Sequence, residues 1–272
     1  MKNIVSYGGG TQSTALILMA LNGEYGLERP DFGVYADTGG EPEFINEYVR
    51  YFIDYVKEKY DFDIFIIQNK QGLVHKLTIE KPRVSKSGKH YTSSVPPYFT
   101  KDSFGNIGML MRQCTSDFKT NPIAKFINSK LARGEKYRIW IAISFDERSR
   151  MKISTNKRRE NYYPLVEHFI RRNESIDYVK KLGIKPPQRS SCFFCPFHSD
   201  RYWQWLKDFH PSEFERAVNF EKTVQTRQND FNTDKIFLHK SCKPLNEVQF
   251  TDENQLNMFP ELIDECGGEC GI

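Results

Sequence analysis

The sequence predicts an α/β fold in which a parallel sheet is flanked by helices. Apolar strand segments alternate with helices that have one apolar face over the first 144 residues, which is the pattern of a parallel sheet. The third strand segment is apolar at nearly every position, as expected when both faces of a strand are covered. Ligands of such sheets bind outside the carboxyl ends of the strands, so we look for a site there.

The elements follow in order. Strands are expected at residues 3–5, 31–37, 62–67 and 137–144, and helices at 15–21, 41–60 and after Ser116. Residues 70–108 break this pattern with Gly, Pro, Ser and basic side chains, which predicts a long loop or a small insertion, and a solvated charged loop is its simplest interpretation. We expect an α/β domain at 1–165 and a mostly helical region with a tail at 166–272.

Composition narrows the class of protein. The 272 residues carry a net charge of +4, which alone does not require a nucleic-acid partner. We expect no contact with a membrane and a cytoplasmic location, because no apolar run is long enough to span a bilayer and no signal-peptide pattern occurs. In a reducing compartment the six cysteines are better explained as metal ligands or reactive thiols than as disulfides.

A glycine loop joins the first strand to the first helix. Glycines let backbone N–H groups approach an anion, hydroxyl side chains add donors, and the helix directs its positive end at the same place. The loop fits neither common phosphate-binding glycine motif, and its alternative is an ordinary tight turn, which needs only one or two glycines. The predicted nucleotide-binding residues of this loop are Ser6, Tyr7, Gly8, Gly9, Gly10, Thr11, Gln12 and Ser13.

Further polar residues follow two other strands. Asp37, Thr38 and Gly39 end the second strand, and the cluster with Asp146 and Arg150 follows the fourth. Carboxyl ends of parallel strands meet at one edge, so we expect these groups in one crevice, with Asp37 alternatively capping a helix. Arg112 and Lys119 flank Cys114, where their charges would stabilise a thiolate, and both are also expected to bind the nucleotide.

The cysteines divide into two groups. Cys114 stands just outside a predicted helix, and Cys192 and Cys195 form a Cys-x-x-Cys pair, which occurs in zinc sites, in iron–sulfur sites and as a redox dithiol. We predict a metal site of Cys114, Cys192, Cys195 and Cys242, with a chance pairing of buried cysteines as the alternative. The glycine-rich tail with Cys266 and Cys270 is predicted to be flexible.

Together these pieces resemble the phosphoadenosine phosphosulfate (PAPS) reductase family of the PP-loop adenine-nucleotide α-hydrolase superfamily. The resemblance covers most of the chain and includes the glycine loop, Asp37 to Glu41, Arg112 to Lys119, Tyr163 to Leu165, the Cys-x-x-Cys pair and the last four residues. It implies a Rossmann-like PP-loop sheet and an adenine nucleotide as ligand: ATP, adenylylsulfate (APS) or PAPS. It further implies Cys270 as a catalytic nucleophile, beside which we expect Asp37 and Arg150 to act.

Three functions remain open. The first is sulfonucleotide reduction, in which the tail thiolate attacks sulfur and an external thiol completes the reduction. The second is ATP-dependent sulfur transfer from a sulfur donor to a nucleic acid, using a [4Fe–4S] cluster or a persulfide. The third is a non-catalytic nucleotide- or nucleic-acid-binding module with structural zinc. Gln12 stands where ATP-cleaving relatives carry an acid, which counts against the second function.

Overall fold

The computed structural model describes residues 1–68, 71–227, 230 and 235–250. The strands, numbered along the chain, are β1 (Lys2–Tyr7), β2 (Phe32–Asp37), β3 (Ile64–Gln68), β4 (Arg83–Val84), β5 (His90–Tyr91), β6 (Phe99–Lys101), β7 (Ile107–Met109), β8 (Tyr137–Trp140), β9 (Arg159–Tyr162) and β10 (Lys235–Phe237). The helices are α1 (Thr11–Leu21), α2 (Glu43–Tyr60), α3 (Gly72–Thr78), α4 (Asn121–Lys130), α5 (Pro164–Glu167), α6 (Arg172–Lys181), α7 (Asp200–Phe209) and α8 (Pro211–Thr226).

The central sheet has five parallel strands in the order β3-β2-β1-β8-β9. This confirms the α/β class with a parallel sheet flanked by helices. The fourth strand is shorter than expected and ends at Trp140. An additional parallel strand, β9, lies at the edge of the sheet, where its polar Arg159–Tyr162 sequence is compatible with solvent.

Helices cover both faces of this sheet. The side chains of β1 alternate, so that Val5 packs under α1 and α2 while Ile4 packs under α4 on the opposite face. Helix α2 buries one stripe at helical spacing, formed by Ile45, Val49, Phe52 and Val56. Helix α6 packs on α1, and Val179 joins the same core.

A second hydrophobic core lies beside the sheet. It unites α3, β6 and β10 with α7 and α8, and Trp203 and Leu206 at its centre have no exposed surface. Residues 70–108, expected as a loop or insertion, contain α3 and the two hairpins β4–β5 and β6–β7. Phe44 of α2 packs against both cores and joins them.

A wide π-helical turn, Ser116–Thr120, precedes α4. A second short helical segment, the 3₁₀ turn Phe145–Arg150, follows β8. Both turns lie beyond carboxyl ends of sheet strands and contribute side chains to the site described below. None of the helices in the described part of the chain is long and apolar enough to cross a membrane.

Candidate functional site

An open crevice lies at the carboxyl edge of the sheet and encloses about 1050 Å³, counting the space at its mouth. One side is polar and is formed by the glycine loop. The other side is apolar, with Ile139, Ile141 and Ile143 from β8 and its continuation. Cationic side chains at this crevice are Lys119, Arg150 and Arg159. Ser6, Tyr7, Gly8, Gly10, Gln12 and Ser13, all expected from the sequence, line it as well.

The glycine loop is held in shape by its own hydrogen bonds. The Gly8 N–H donates to Ser13 Oγ (3.1 Å), and that hydroxyl donates to the Gly10 carbonyl (3.0 Å). The carbonyl of Gly10 also accepts from the N–H of Thr14 (3.0 Å), which starts α1. The first N–H groups of a helix have no partners within the helix, so this end of α1 carries partial positive charge at the crevice.

Two glycines of this loop are packed so closely that an added Cβ would crowd a neighbouring side chain. Gly9 has a positive φ of 73°, and a Cβ there would lie 3.0 Å from Val49 Cγ2. A Cβ on Gly10 would lie 3.0 Å from the hydroxyl oxygen of Ser190. Thr11 is buried, and its hydroxyl donates to the Pro187 carbonyl (3.2 Å). The loop is thus fixed from both sides before any ligand arrives.

Glu147, which no sequence motif singles out, contacts two residues of the crevice lining. Its carboxylate accepts a hydrogen bond from the Gln12 amide and forms an ion pair with Arg150. The same Gln12 amide donates to Ser144 Oγ (2.7 Å). The carboxylate of Glu147 therefore lies next to Gln12, the residue of the glycine loop at which ATP-cleaving relatives carry an acid.

Asp37 and Asp146 both lie at the carboxyl edge, as expected, but their carboxylates are held by local bonds. Asp37 accepts from the Gly39 N–H (2.7 Å) and from the Gln68 amide (2.9 Å). Asp146 accepts from the Arg172 N–H (3.2 Å) at the start of α6. Neither residue belongs to the lining of the crevice. Their proposed roles in binding and catalysis remain predictions.

The turn from Thr38 to Glu41 lies beside a second cavity, which Thr38 lines. Glu41 is 3% exposed and accepts from the Thr38 hydroxyl (2.7 Å). Its other carboxylate oxygen lies 3.7 Å from Lys119 Nζ. Lys119 lines both cavities, so one ammonium group is shared between them.

The second cavity, which we call the cysteine pocket, is lined by Cys114, Cys192 and Cys195. It encloses about 510 Å³, again counting open space. Arg112, Thr38 and Lys119 also line it. Burial raises the pKa of the Tyr98 phenol, and the three cysteines, which lie near it, raise that pKa further. The structure thus brings together three of the four predicted metal ligands.

The loop that carries Cys192 and Cys195 is docked on the Thr38–Glu41 turn. The Phe193 N–H donates to the Gly40 carbonyl (2.8 Å), and the Cys195 N–H donates back to the Cys192 carbonyl (3.0 Å). A Cβ on Gly40 would lie 2.9 Å from the Phe194 ring. Only glycine permits so close an approach of this loop to the edge of the sheet.

Cys192 lies next to the Thr38–Glu41 turn. Its sulfur lies 3.5 Å from the Thr38 hydroxyl. Burial raises the pKa of this thiol, and the negative charge of Glu41 raises it further, whereas Lys119 opposes the shift. Without a metal or another cation, the Cys192 thiol therefore stays protonated at neutral pH.

The structure separates Cys242 from the other three cysteines. It follows β10 in the second core, its thiol points to the Thr100 carbonyl (3.8 Å), and it does not line the cysteine pocket. Within the described ranges, no three His, Cys, Asp or Glu side chains converge as they would on a single metal ion. Cys266 and Cys270 lie outside the described residues, so the predicted tail nucleophile remains a prediction.

Neither the known protein families nor the curated proteins contain a match to this sequence. Among solved structures, the chain is similar to a PAPS reductase from Candida auris, solved as a phosphate complex, with 11% identity and a TM-score of 0.40 over 69% of this chain and 75% of the other. It is also similar to the U34-tRNA thiolase NcsA from Methanococcus maripaludis with its [4Fe–4S] cluster, with 13% identity and a TM-score of 0.42 over 82% and 72%.

The family that the sequence resembles is therefore also found in the search of solved structures. Both similar proteins are enzymes by their names. Identities and TM-scores this low do not transfer an activity to this chain.

Proposed function

We propose that this protein is an enzyme that activates an acceptor with an adenine nucleotide and transfers sulfur to it. The observation that carries the proposal is the shared wall between the crevice and the cysteine pocket. Lys119 lines both cavities, and Ser190, which lines the crevice, is followed directly by Ser191, which lines the cysteine pocket. A nucleotide and a thiol-bound group would thus lie next to each other.

The two sides of the crevice match the two ends of a nucleotide. Phosphates fit the glycine loop and the start of α1, where Arg150 and Lys119 would balance their charge. The adenine fits the apolar side along Ile139 and Ile141. Glu147 supplies an acidic group beside the loop, which reduces the objection to ATP chemistry raised by Gln12.

The three cysteines suit an iron–sulfur cluster better than a zinc ion. A single zinc ion needs ligands that converge on one point, and the cysteines of the described chain do not converge in this way. In a cluster each thiolate binds a different iron, so the ligands stand around a cavity, as Cys114, Cys192 and Cys195 do. Cys114, Cys192 and Cys195 would hold such a cluster, which would supply the sulfur-binding chemistry of the reaction.

The chain's own residues would then perform the remaining steps. Lys119 and Arg150 would stabilise the negative charge that develops when an acceptor oxygen attacks the α-phosphate and pyrophosphate leaves. The Thr38–Glu41 turn would hold the Cys192–Cys195 loop against the crevice, so that the activated carbon faces the cysteine pocket. Sulfide would displace AMP from that carbon, and no change of oxidation state is needed.

Metal analysis of anaerobically purified protein tests the proposal. We expect iron and acid-labile sulfide with visible absorption, lost in Cys114→Ser, Cys192→Ser and Cys195→Ser. Cys242→Ser is the matched control, because this buried cysteine lies outside the pocket, and it should retain iron. With ATP and a nucleic-acid acceptor, the loaded protein should release AMP and pyrophosphate.

Two results would contradict this proposal. One stoichiometric zinc without iron would support the non-catalytic module. Release of sulfite from PAPS by metal-free protein with an external thiol, abolished in Cys270→Ser, would support the reductase.

A further inference from the structure

Two short β-hairpins lie in the part of the chain between α3 and Cys114, and the second of them pairs with β10 in a three-stranded sheet. We call residues 79–112 the insertion hairpins, which comprise β4–β5 and β6–β7. They contain six lysines and arginines but only two acids, so this segment alone carries a net charge of +4. That value equals the net charge of the whole chain.

Both acids of the insertion hairpins already have partners inside the protein. Glu80 accepts from Lys76 Nζ at 2.9 Å. Asp102 accepts from the backbone N–H groups of Phe104 (2.9 Å) and Asn106 (2.8 Å), which shapes the turn of the second hairpin. Glu80 is therefore compensated by a lysine, whereas Asp102 stays ionised, because hydrogen bonds from Asn106 lower its pKa, and it removes one positive charge from the surface near Lys101.

The lysines of the hairpins are exposed. Lys81, Lys86, Lys89 and Lys101 all point into solvent, and none of them forms an ion pair with another described residue. The other basic run of the chain, residues 148–159, is partly held inside the protein, because Arg150 pairs with Glu147 and Arg158 donates to the Glu135 carbonyl (3.0 Å), while Lys152 and Lys157 are exposed. The insertion hairpins thus present four exposed lysines to an external partner.

Exposed apolar side chains lie among these charges. Phe104 at the turn of the second hairpin is 90% exposed. Ile107, Met109 and Met111 alternate along β7 and its extension, so they share one face, and Lys101 is the cross-strand partner of Ile107. Cations beside an exposed aromatic ring match the phosphates and bases of a nucleic-acid strand.

The insertion hairpins are attached at the wall of the cysteine pocket. Pro96, Pro97 and Arg112 belong to this segment and line the pocket. Tyr91, the last residue of the first hairpin, is five residues from Pro96, a distance of at most about 17 Å along an extended chain. A strand bound on the hairpins would therefore pass close to the three cysteines.

We propose that the insertion hairpins bind a single-stranded nucleic acid and direct it to the cysteine pocket. This inference deepens the proposed function and rests on it, because it assigns the class of the sulfur acceptor. Phosphates lie on Lys81, Lys86, Lys89 and Lys101, and an unpaired base stacks on Phe104. A single strand is specified because the face of a base is accessible to a ring only outside a duplex.

Fluorescence anisotropy with labelled single-stranded RNA and DNA of about 20 nucleotides tests this on the full chain, between about 50 and 200 mM salt. Lys86→Gln combined with Lys89→Gln should weaken binding and reduce the slope of log K against log salt by about 1.4, because each phosphate contact to a single strand contributes about 0.7. Phe104→Ala should weaken binding by roughly 5-fold or more, the loss of one stacked base.

The matched control is Lys181→Gln combined with Lys185→Gln, which removes the same amount of charge. Both lysines are exposed; Lys181 is the last residue of α6 and Lys185 follows that helix. It should leave both affinity and salt slope unchanged. Three results would overturn the inference. The two double variants could have equal effects, the protein could prefer a duplex to a single strand, or it could bind anionic lipid vesicles instead of oligonucleotides. Iron content distinguishes failure of this inference from failure of the proposed function. Iron-free protein that still binds oligonucleotides through the hairpins would refute only the sulfur-transfer proposal. Iron-loaded protein that binds no oligonucleotide would refute only the proposed nucleic-acid-binding surface.

Discussion

Arg150 of the crevice wall is paired with the opposite charge of Glu147 behind it. The two side chains are paired, and Gln12 of the glycine loop donates to the same carboxylate. A nucleotide phosphate placed at the loop would compete with Glu147 for Arg150. The pair therefore holds the arginine in position before binding, at a cost of repulsion between the acid and the phosphate.

Replacing each member of this pair should change nucleotide affinity in opposite directions. Without magnesium, Arg150→Gln should weaken ATP binding by about 10-fold or more, since a charge-assisted hydrogen bond contributes about 1.5–3 kcal/mol. Glu147→Gln should strengthen it, because a negative charge beside the phosphates is removed. Calorimetry on both variants measures this. A loss of affinity in both would show that Glu147 acts mainly by positioning Arg150.

The residues of this pair show what the sequence can and cannot predict at the smallest scale. Arg150 and Gln12 were identified because they belong to segments at strand ends. Glu147 was not, because it lies between Asp146 and Arg148 in a charged run, and nothing in the run indicates which acid faces the loop. That choice is made by the 3₁₀ turn, which directs Asp146 to the start of α6 instead.

Among the elements, the docked Cys192–Cys195 loop depends most on one glycine. Gly40 accepts the Phe193 N–H, and its lack of a side chain leaves room for the Phe194 ring and for Cys192, whose sulfur would lie 3.1 Å from an added Cβ. The geometry of the cysteine pocket therefore relies on the turn at the end of β2.

Gly40→Ala should displace this loop and reduce iron loading, with a loss of about 1–3 kcal/mol in unfolding free energy from overpacking. The matched control is Gly8→Ala, whose Cβ would meet only Ser13 Oγ at an ordinary 3.7 Å. The control should keep its iron. Iron content and chemical denaturation measure the two effects, and full iron loading in Gly40→Ala would show that the loop tolerates displacement.

Long elements were predictable and short ones were not. Four strands of the sheet stand out because their residues are apolar and they are separated by helices of regular period. Strand β9 does not, since Arg159, Glu160 and Asn161 are polar residues on an edge. The hairpins of the insertion have strands of two or three residues, too short for any period to appear. The separation of Cys242 depends on the packing of the second core, which local sequence does not encode.

The second core and the core between the sheet and helices α1 and α2 are joined across one surface. Phe44 contacts both, and the Cys192–Cys195 loop of the second core rests on the sheet of the first. Loss of either core would expose apolar surface of the other. Cooperative unfolding is therefore expected across the described structure.

Scanning calorimetry should show one unfolding transition that moves to higher temperature with ATP. At 100 times the dissociation constant, binding adds about 2.7 kcal/mol, which corresponds to a shift of roughly 5–10 °C for a chain of this size. The Arg150→Gln variant should show a smaller shift at the same ATP concentration. Two separate transitions, with only one moved by ATP, would show that the cores unfold independently.

The wide turn at Ser116–Thr120 limits how this protein can change during evolution. It contains the extra residue of a π-helical turn, and Cys114 precedes it while Lys119 lies within it. Losing one residue here would convert the turn to an ordinary helix and rotate everything before it by about 100° relative to α4. Cys114 would then leave the cysteine pocket while the sheet remained intact. Homologues of this protein are therefore expected to differ by substitutions in this turn far more often than by changes of its length.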